Sequence, residues 1–236
     1  MVSKTRMTAI TREFHWKEVR DGLAENTELL GVRDDRGRNW LHLCCSVDPK
    51  PKRLAPADSV ETARVILEAG IDVNDEAFSE AKGWKATPLW FAIARGHNLR
   101  LAKYLLDHGS TPEYCIFAAS YREDIEAVRL LVRCGASVDP TTHPESPLLG
   151  AIRGSRFRGA EALLEAGANV DFQNESGMTP LHYMLKNLSD TKHFRMLLQY
   201  GPRGDLPDKF GKTAAEIMSR KRDPELRKLA AQLATG

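Results

Sequence analysis

One short phrase recurs along this chain, and it restricts the fold more tightly than any other feature. Two apolar residues precede a glycine by four and three positions: Ile66-Leu67 before Gly70, Leu105-Leu106 before Gly109, Leu131-Val132 before Gly135, Leu163-Leu164 before Gly167 and Leu197-Leu198 before Gly201. Seven positions before each glycine stands another apolar residue: Ala63, Ala102, Val128, Ala160 and Phe194. Positions −7, −4 and −3 share one face of an α-helix. The glycine suits the left-handed residue that ends a helix, a conformation that costs energy for a residue with a Cβ. A second phrase alternates with the first: Thr87-Pro88-Leu89, Ser146-Pro147-Leu148 and Thr179-Pro180-Leu181, with weaker copies at Asn39-Trp40-Leu41 and Thr213-Ala214-Ala215. Thr, Ser and Asn cap a helix N-terminus, and Pro is tolerated at its first position. Each unit therefore reads as helix, short turn, helix, extended connection. Such units bury their apolar faces only by stacking on neighbours.

The copy Gly167-Ala168-Asn169-Val170-Asp171, followed by Thr179-Pro180-Leu181-His182, resembles the ankyrin repeat, and Asp34-Asp35-Arg36-Gly37-Arg38-Asn39-Trp40-Leu41-His42 is a degraded form of the same signal. The in-phase copies extend the resemblance over nearly the whole chain. It implies an all-α solenoid, a stack of antiparallel helix pairs with β-hairpin or loop fingers. It also implies a role in binding other macromolecules rather than in catalysis.

Spacing locates the irregular repeats. Leu148 to Leu181 is 33 residues and Leu181 to Ala215 is 34, close to the ~33-residue period of the family. Leu41 to Leu89 is 48. About nine of the extra residues fall between the two helices of the first full repeat, within an insertion at 46–59 whose three prolines forbid a continuous helix. The next finger is longer by five and carries Phe78 and Trp84. In the third repeat, Gly109 reaches Ile116 in seven residues, so this shortened connection (109–116) is expected to lack a hairpin, while helices over 114–122 and 125–134 still stack. Residues 1–33 read as an N-terminal helical cap or partial repeat, with Phe14, Trp16, Val19 and Leu23 as its apolar stripe. Residues 34–205 are the repeats, and 206–236 a C-terminal capping repeat whose last helix starts at Pro224 behind Asp223.

Composition narrows the function. The net charge is +2, with 28% charged and 42% hydrophobic residues, unlike a polycation or a disordered acidic chain. The first ten residues lack the apolar centre of a secretory signal, and no apolar run is long enough to cross a bilayer. Four cysteines, two adjacent (Cys44, Cys45), do not form a disulfide framework in a chain of this size. The expectation is a cytoplasmic, monomeric protein. Export by a route independent of such a signal stays open.

No phosphate-cradling glycine loop, zinc-protease helix motif or nucleophile–base spacing is present. No cofactor, metal or catalytic residue is assigned. His42 and His182 take the fourth position of the capping phrase, where the imidazole can bond nearby backbone. His97 sits in an inter-helix turn and His108 in a last helical turn, where a cation is favoured. Cys44 occupies the small-residue site held elsewhere by Ala92, Ala119 and Ala151, and Cys behaves there as a small hydrophobe.

The family resemblance implies binding through finger tips and the inner surface of each first helix. The two variable inner positions come five and six residues after the phrase leucine: Ala94 and Arg95, Tyr121 and Arg122, Arg153 and Gly154, Lys186 and Asn187. Four repeats thus carry a cation there and none an acid. The finger position after the glycine adds Arg38, Lys85 and Lys212, with Met178 as the exception. Second helices carry Glu61, Glu68, Asp124, Glu126, Glu161 and Glu165. These residues suggest a basic concave groove for an acidic or phosphorylated protein segment, with Trp84 and Tyr121 as aromatic anchors. Trp90, within an apolar run, is assigned to the core. The alternatives are a nucleic-acid or polyanion binder, for which the small charge excess argues poorly, and a regulatory partner of an enzyme. Nothing suggests a membrane.

Overall fold

The computed structural model describes residues 2–79, 84–112, 114–140 and 145–233. The chain divides into two compact units, Met1–Cys115 and Ile116–Gly236.

In the first unit, α1 (Lys4–Arg12) pairs with α2 (Trp16–Glu25), and a 3-10 turn follows at Thr27–Gly31. Then come α3 (Trp40–Cys45), α4 (Pro56–Glu68), the strands β1 (Ala77–Phe78) and β2 (Lys85–Ala86), α5 (Pro88–Ala94) and α6 (Leu99–Asp107). First helices pack on first helices, α1 on α3 on α5. Second helices do likewise, α2 on α4 on α6. The N-terminal stripe is interrupted at Phe14, a buried residue in the left-handed region (φ 60°) that turns the chain between α1 and α2.

In the second unit, α7 (Cys115–Tyr121, its first residue shared with the boundary), α8 (Ile125–Arg133), α9 (Pro147–Arg153), α10 (Phe157–Glu165), α11 (Pro180–Lys186), α12 (Thr191–Leu198), α13 (Ala214–Ser219) and α14 (Pro224–Leu233) follow. Here α9, α11 and α13 form one layer, and α8, α10, α12 and α14 the other. Each unit is therefore a stack of helix pairs.

The two sequence phrases do the physical work assigned to them. Side chains of Asn39, Ser146, Thr179 and Thr213 accept backbone N–H bonds at the starts of α3, α9, α11 and α13. Thr87 is the exception: its side chain makes no cap bond and Pro88 alone opens α5. The five phrase glycines all sit at positive φ, from 63° to 96°. Positions −7 and −4 of the stripes, with Leu101 and the phrase leucines, are the core: Leu41, Ala63, Ile66, Leu89, Leu101, Ala102 and Leu105 are fully buried in the first unit, and Val128, Leu131, Leu148, Ala160, Leu163 and Leu197 in the second, whereas Leu67, Leu106, Val132 and Leu198 at position −3 are half-buried. Cys44, Ala92, Ala119 and Ala151 are buried alike.

Three finger tips share one turn. The Oδ1 atoms of Asp34, Asn174 and Asp208 each accept the backbone N–H groups two and four residues on, at 2.9–3.0 Å. A left-handed glycine (Gly37, Gly177, Gly211) completes each turn. Only the longer second finger forms a ladder among the described residues, with Ala77 opposite Ala86 and Phe78 opposite Lys85. Around the shortened connection, the described residues form no hairpin. Thr111 N–H instead donates to Asn74 Oδ1 at 2.9 Å, and the Asn74 amide donates to the Gly109 carbonyl at 2.9 Å.

The 46–59 insertion is only partly a loop. The chain turns at 49–53, and then Pro56 opens α4, which runs 13 residues against nine for α6, α8 and α10. Proline is compatible with a first helical position, so the third proline starts the helix rather than prolonging the loop. Ser59 is consequently buried, and its hydroxyl accepts a 2.8 Å bond from Asn98.

Candidate binding surface

In the first unit, Arg95 follows the last residue of α5 and is exposed, its guanidinium 5.9 Å from the Trp90 ring centre. Trp90 is half-buried rather than core, which corrects the sequence expectation. Position 90 lies one residue beyond the fully buried Leu89, on the side of α5 facing Trp84. Trp84 is 47% exposed and meets Trp90 edge-on at 5.0 Å. Lys85 is exposed beside it, with its ammonium 5.7 Å from the Phe78 ring. Arg38 behaves differently. Its guanidinium bonds Asp34 at 2.7–2.8 Å and its side chain is only 17% exposed. Burial pushes the Asp34 carboxyl up, but bonds from Arg38 and from the Arg36 and Arg38 backbone outweigh it and hold the group below its usual range. Arg38 is thus a brace within its own finger.

In the second unit, Tyr121 ends α7 and is 51% exposed, with the Arg156 guanidinium 5.1 Å from its ring centre. Arg122 is exposed beside it. Arg153 ends α9, also exposed, and pairs with the largely buried Glu145 at 2.8 Å. Lys186 ends α11, with its ammonium 5.7 Å from the Tyr183 ring. Asn187 points back along the stack and donates to the Arg153 carbonyl at 3.0 Å, closing the end of α9. Met178 is half-buried, its backbone N–H held by Asn174. The acids of the second helices are partly matched on their own side: Arg64 pairs with Glu61 and Glu68, and Arg129 with Glu126 and Glu165.

Sequence reasoning missed Trp90 and Tyr114 as surface aromatics, and Arg156 as the cation over Tyr121. The signal available for Tyr114 was the shortened connection after Gly109, which holds it; its ring centre lies 6.0 Å from that of Trp84.

His42 and His182 brace the fold. The imidazoles of His42 and His182 complete capping boxes with Asn39 and Thr179. His182 Nε2 also lies 3.1 Å from the Lys212 carbonyl, tying one repeat to the next. His42 is fully buried and packs edge-on to Phe91 at 5.4 Å. Burial drives its pKa down to about 4, with the nearby Ala86 backbone and the Asp75 charge offsetting part of the shift. Burial pushes the thiols of Cys44, Cys45 and Cys115 up. Among the described residues no cluster of His, Cys, Asp or Glu could hold a metal, and no helix is long and apolar enough to cross a membrane.

The family model described as "Ankyrin repeats (3 copies)" matches residues 115–209, and that described as "Ankyrin repeat" matches residues 84–116. An ankyrin repeat protein of fowlpox virus is 27% identical over 183 residues, covering 75% of this chain but only 29% of the viral protein. The probable 26S proteasome regulatory subunit p28 of Saccharomyces cerevisiae is 26% identical over 211 residues, covering 85% of this chain and 87% of the yeast protein. Among solved structures, the human ASB11 ankyrin repeat domain superposes with a TM-score of 0.71 at 22% identity, covering 98% of both chains. The ankyrin repeat domain of Bcl-3 does so with a TM-score of 0.74 at 19% identity, over 95% of this chain and 97% of that one. Matched by family models across its middle and by relatives over most of its length, the chain belongs to the ankyrin-repeat family.

Proposed function

We propose that this chain is a non-catalytic adaptor, cytoplasmic and monomeric, that binds an acidic or phosphorylated segment of a protein partner. Ankyrin repeats are in general protein-interaction modules, so the proposal lies in the chemistry of the partner and the residues that meet it. One observation carries the reading. The inner helix ends present exposed cations at equivalent positions: Arg95 in the first unit, and Arg122, Arg153 and Lys186 in the second. Exposed cations of this kind speed encounter with an anion and lose their effect in salt. Stacking of Arg95 and Lys186 on rings holds their head groups in place at little further entropic cost. Arg153 pairs with Glu145 at 2.8 Å. Arg38 and Asn187 are occupied within the fold and support the surface rather than contact the partner.

The test is titration of a labelled oligoglutamate peptide, with duplex and single-stranded DNA in parallel, at low and moderate salt. Wild type binds the peptide in a salt-dependent way, and the triple variant Arg95→Glu, Arg122→Glu, Lys186→Glu does not. Peptide binding that survives this reversal overturns the reading. DNA bound more tightly than the peptide redirects it to a polyanion.

A further inference from the structure

The turns that join first to second helices form one edge of the second unit. Each is tied to the next. The Arg158 N–H donates to Glu123 Oε1 at 3.0 Å, the Asn187 amide donates to the Arg153 carbonyl at 3.0 Å, and Arg195 of α12 pairs with Glu225 of α14 at 2.7 Å. Packed helices lie about 8–10 Å apart, so the four turns spread over roughly 30 Å. The stretches 122–124, 153–158, 186–192 and 220–223 hold nine cations and four acids, a surplus of five on a chain whose net charge is +2. Backbone groups already engage the acids. Glu123 takes the Arg158 N–H, Asp124 and Asp190 cap α8 and α12, and Asp223 accepts the Glu225 N–H. Arg158, Arg220 and Arg222 are exposed and Lys221 is half-buried, and none of these four pairs with an acid among the described residues. In sequence the surplus is scattered between 122 and 223, and only the stack gathers it.

One apolar residue stands out from this edge. Leu188 is 81% exposed, more than any other large apolar side chain among the described residues. It holds a left-handed φ of 53°, at the turn position taken by Glu123 (58°) and Ser155 (57°) in the preceding repeats. That region is costly for a bulky residue, and no burial offsets the cost, so the fold gains nothing from leucine here. Lys186 and Lys192 flank it, both exposed. A leucine that protrudes rather than lining a hollow has to enter its partner. Duplex nucleic acid would meet the cations through its phosphates and offer the leucine no apolar medium. The surface of an anionic bilayer takes both: head groups meet the cations, and an apolar side chain set among them reaches the acyl boundary. From the surplus charge and the protruding leucine we infer that this edge rests on the surface of a membrane rich in anionic lipid, as a peripheral contact. The inference stands apart from the acidic-peptide reading, in which Leu188 and the four unpaired cations play no part.

The experiment sediments the full chain with vesicles of phosphatidylcholine alone, and of phosphatidylcholine and phosphatidylserine in equal parts, at low and moderate salt. Wild type is compared with Leu188→Asn, with Phe210→Ser, and with the combined variant Arg158→Gln, Arg220→Gln, Lys221→Gln, Arg222→Gln. Phe210 is 75% exposed at a finger tip with Lys209 beside it, and controls for loss of any exposed apolar group. Wild type binds the mixed vesicles but not phosphatidylcholine alone, and salt weakens the binding. Each cation near an anionic surface is worth about fivefold in partition, so the combined variant binds at least ~100-fold more weakly. Leu188→Asn binds ~10-fold more weakly, yet melts no lower than wild type, because Asn tolerates the left-handed region. Phe210→Ser binds as wild type does. Failure of wild type to sediment with the mixed vesicles at low salt overturns the inference. So does Leu188→Asn binding like wild type, which reduces the contact to charge alone. Duplex DNA bound more tightly than the mixed vesicles overturns it in favour of nucleic acid. The combined variant keeps Arg95, Arg122 and Lys186, so its binding of oligoglutamate tests the peptide reading separately. Circular dichroism of each variant shows that the surface changes leave the fold intact.

Discussion

The ring of Tyr121 lies so close to Gly154 that a Cβ built on the glycine would stand 2.6 Å from Tyr121 Cε2. The glycine is the residue after α9, and its bareness lets a tyrosine from the preceding repeat lean across and meet Arg156. Gly154→Ala is expected to push the exposed ring aside without disturbing the core, because the obstructing atoms are the far end of a mobile side chain. The stability change should stay within ~1 kcal/mol. The nuclear Overhauser contacts between Tyr121 and Arg156 should disappear. If they persist in the variant, the ring is held by something other than the gap at Gly154.

Much of this fold was legible in the sequence because its determinants are local. A cap, a proline and a left-handed glycine act within four residues of themselves, so Ser146, Pro147 and Gly167 could be assigned from spacing alone. The candidate surface was harder. Whether Arg38 is available depends on Asp34, four residues away in a turn whose shape is a matter of backbone bonding. Arg153 depends on Glu145, and Asn187 on a carbonyl of the previous repeat. Trp90 was misplaced because an apolar neighbourhood in sequence does not say which side of a seven-residue helix is covered.

Two helical glycines should respond oppositely to alanine. Gly159 in α10 packs against the Ser120 backbone, and a Cβ there would land on the Ser120 carbonyl. Backbone cannot yield as a side chain end does, so Gly159→Ala is expected to cost on the order of 1–3 kcal/mol or more. Gly150 in α9 has only Glu145 Oε2 nearby among the described residues, at 3.9 Å. Gly150→Ala should therefore stabilise the chain by roughly 0.5–1 kcal/mol through helix propensity. Urea melts of both variants decide the matter, and a stabilised Gly159→Ala would show that α7 and α10 are not packed as described.

Thiol chemistry offers an independent check on burial. Cys44, Cys45 and Cys115 are buried, whereas Cys134 is exposed just past α8. Thiolates are the reactive form, and burial keeps the first three protonated. Titration of the native chain with a thiol-specific disulfide reagent should release one equivalent quickly. The remaining three should react only after denaturant is added. Two fast equivalents would contradict the close packing around α3 or α7.

Acid should weaken the first unit through His42. Its folded-state pKa is about 4, against the ordinary value of 6.5, because burial disfavours the imidazolium by more than the Ala86 backbone and the Asp75 charge favour it. The unfolded chain therefore takes up a proton that the folded chain refuses, and stability rises with pH across this window. The contribution is complete above pH 6.5 and is lost as pH falls from there toward 4, amounting to about 2 kcal/mol by pH 5. His42→Gln removes the titrating group. The gap in unfolding free energy between wild type and this variant should narrow by about that amount between pH 7 and pH 5. A proton resonance titration of His42 reads the same quantity directly, and a midpoint near 6.5 would mean that the ring is not enclosed between Asn39 and Phe91.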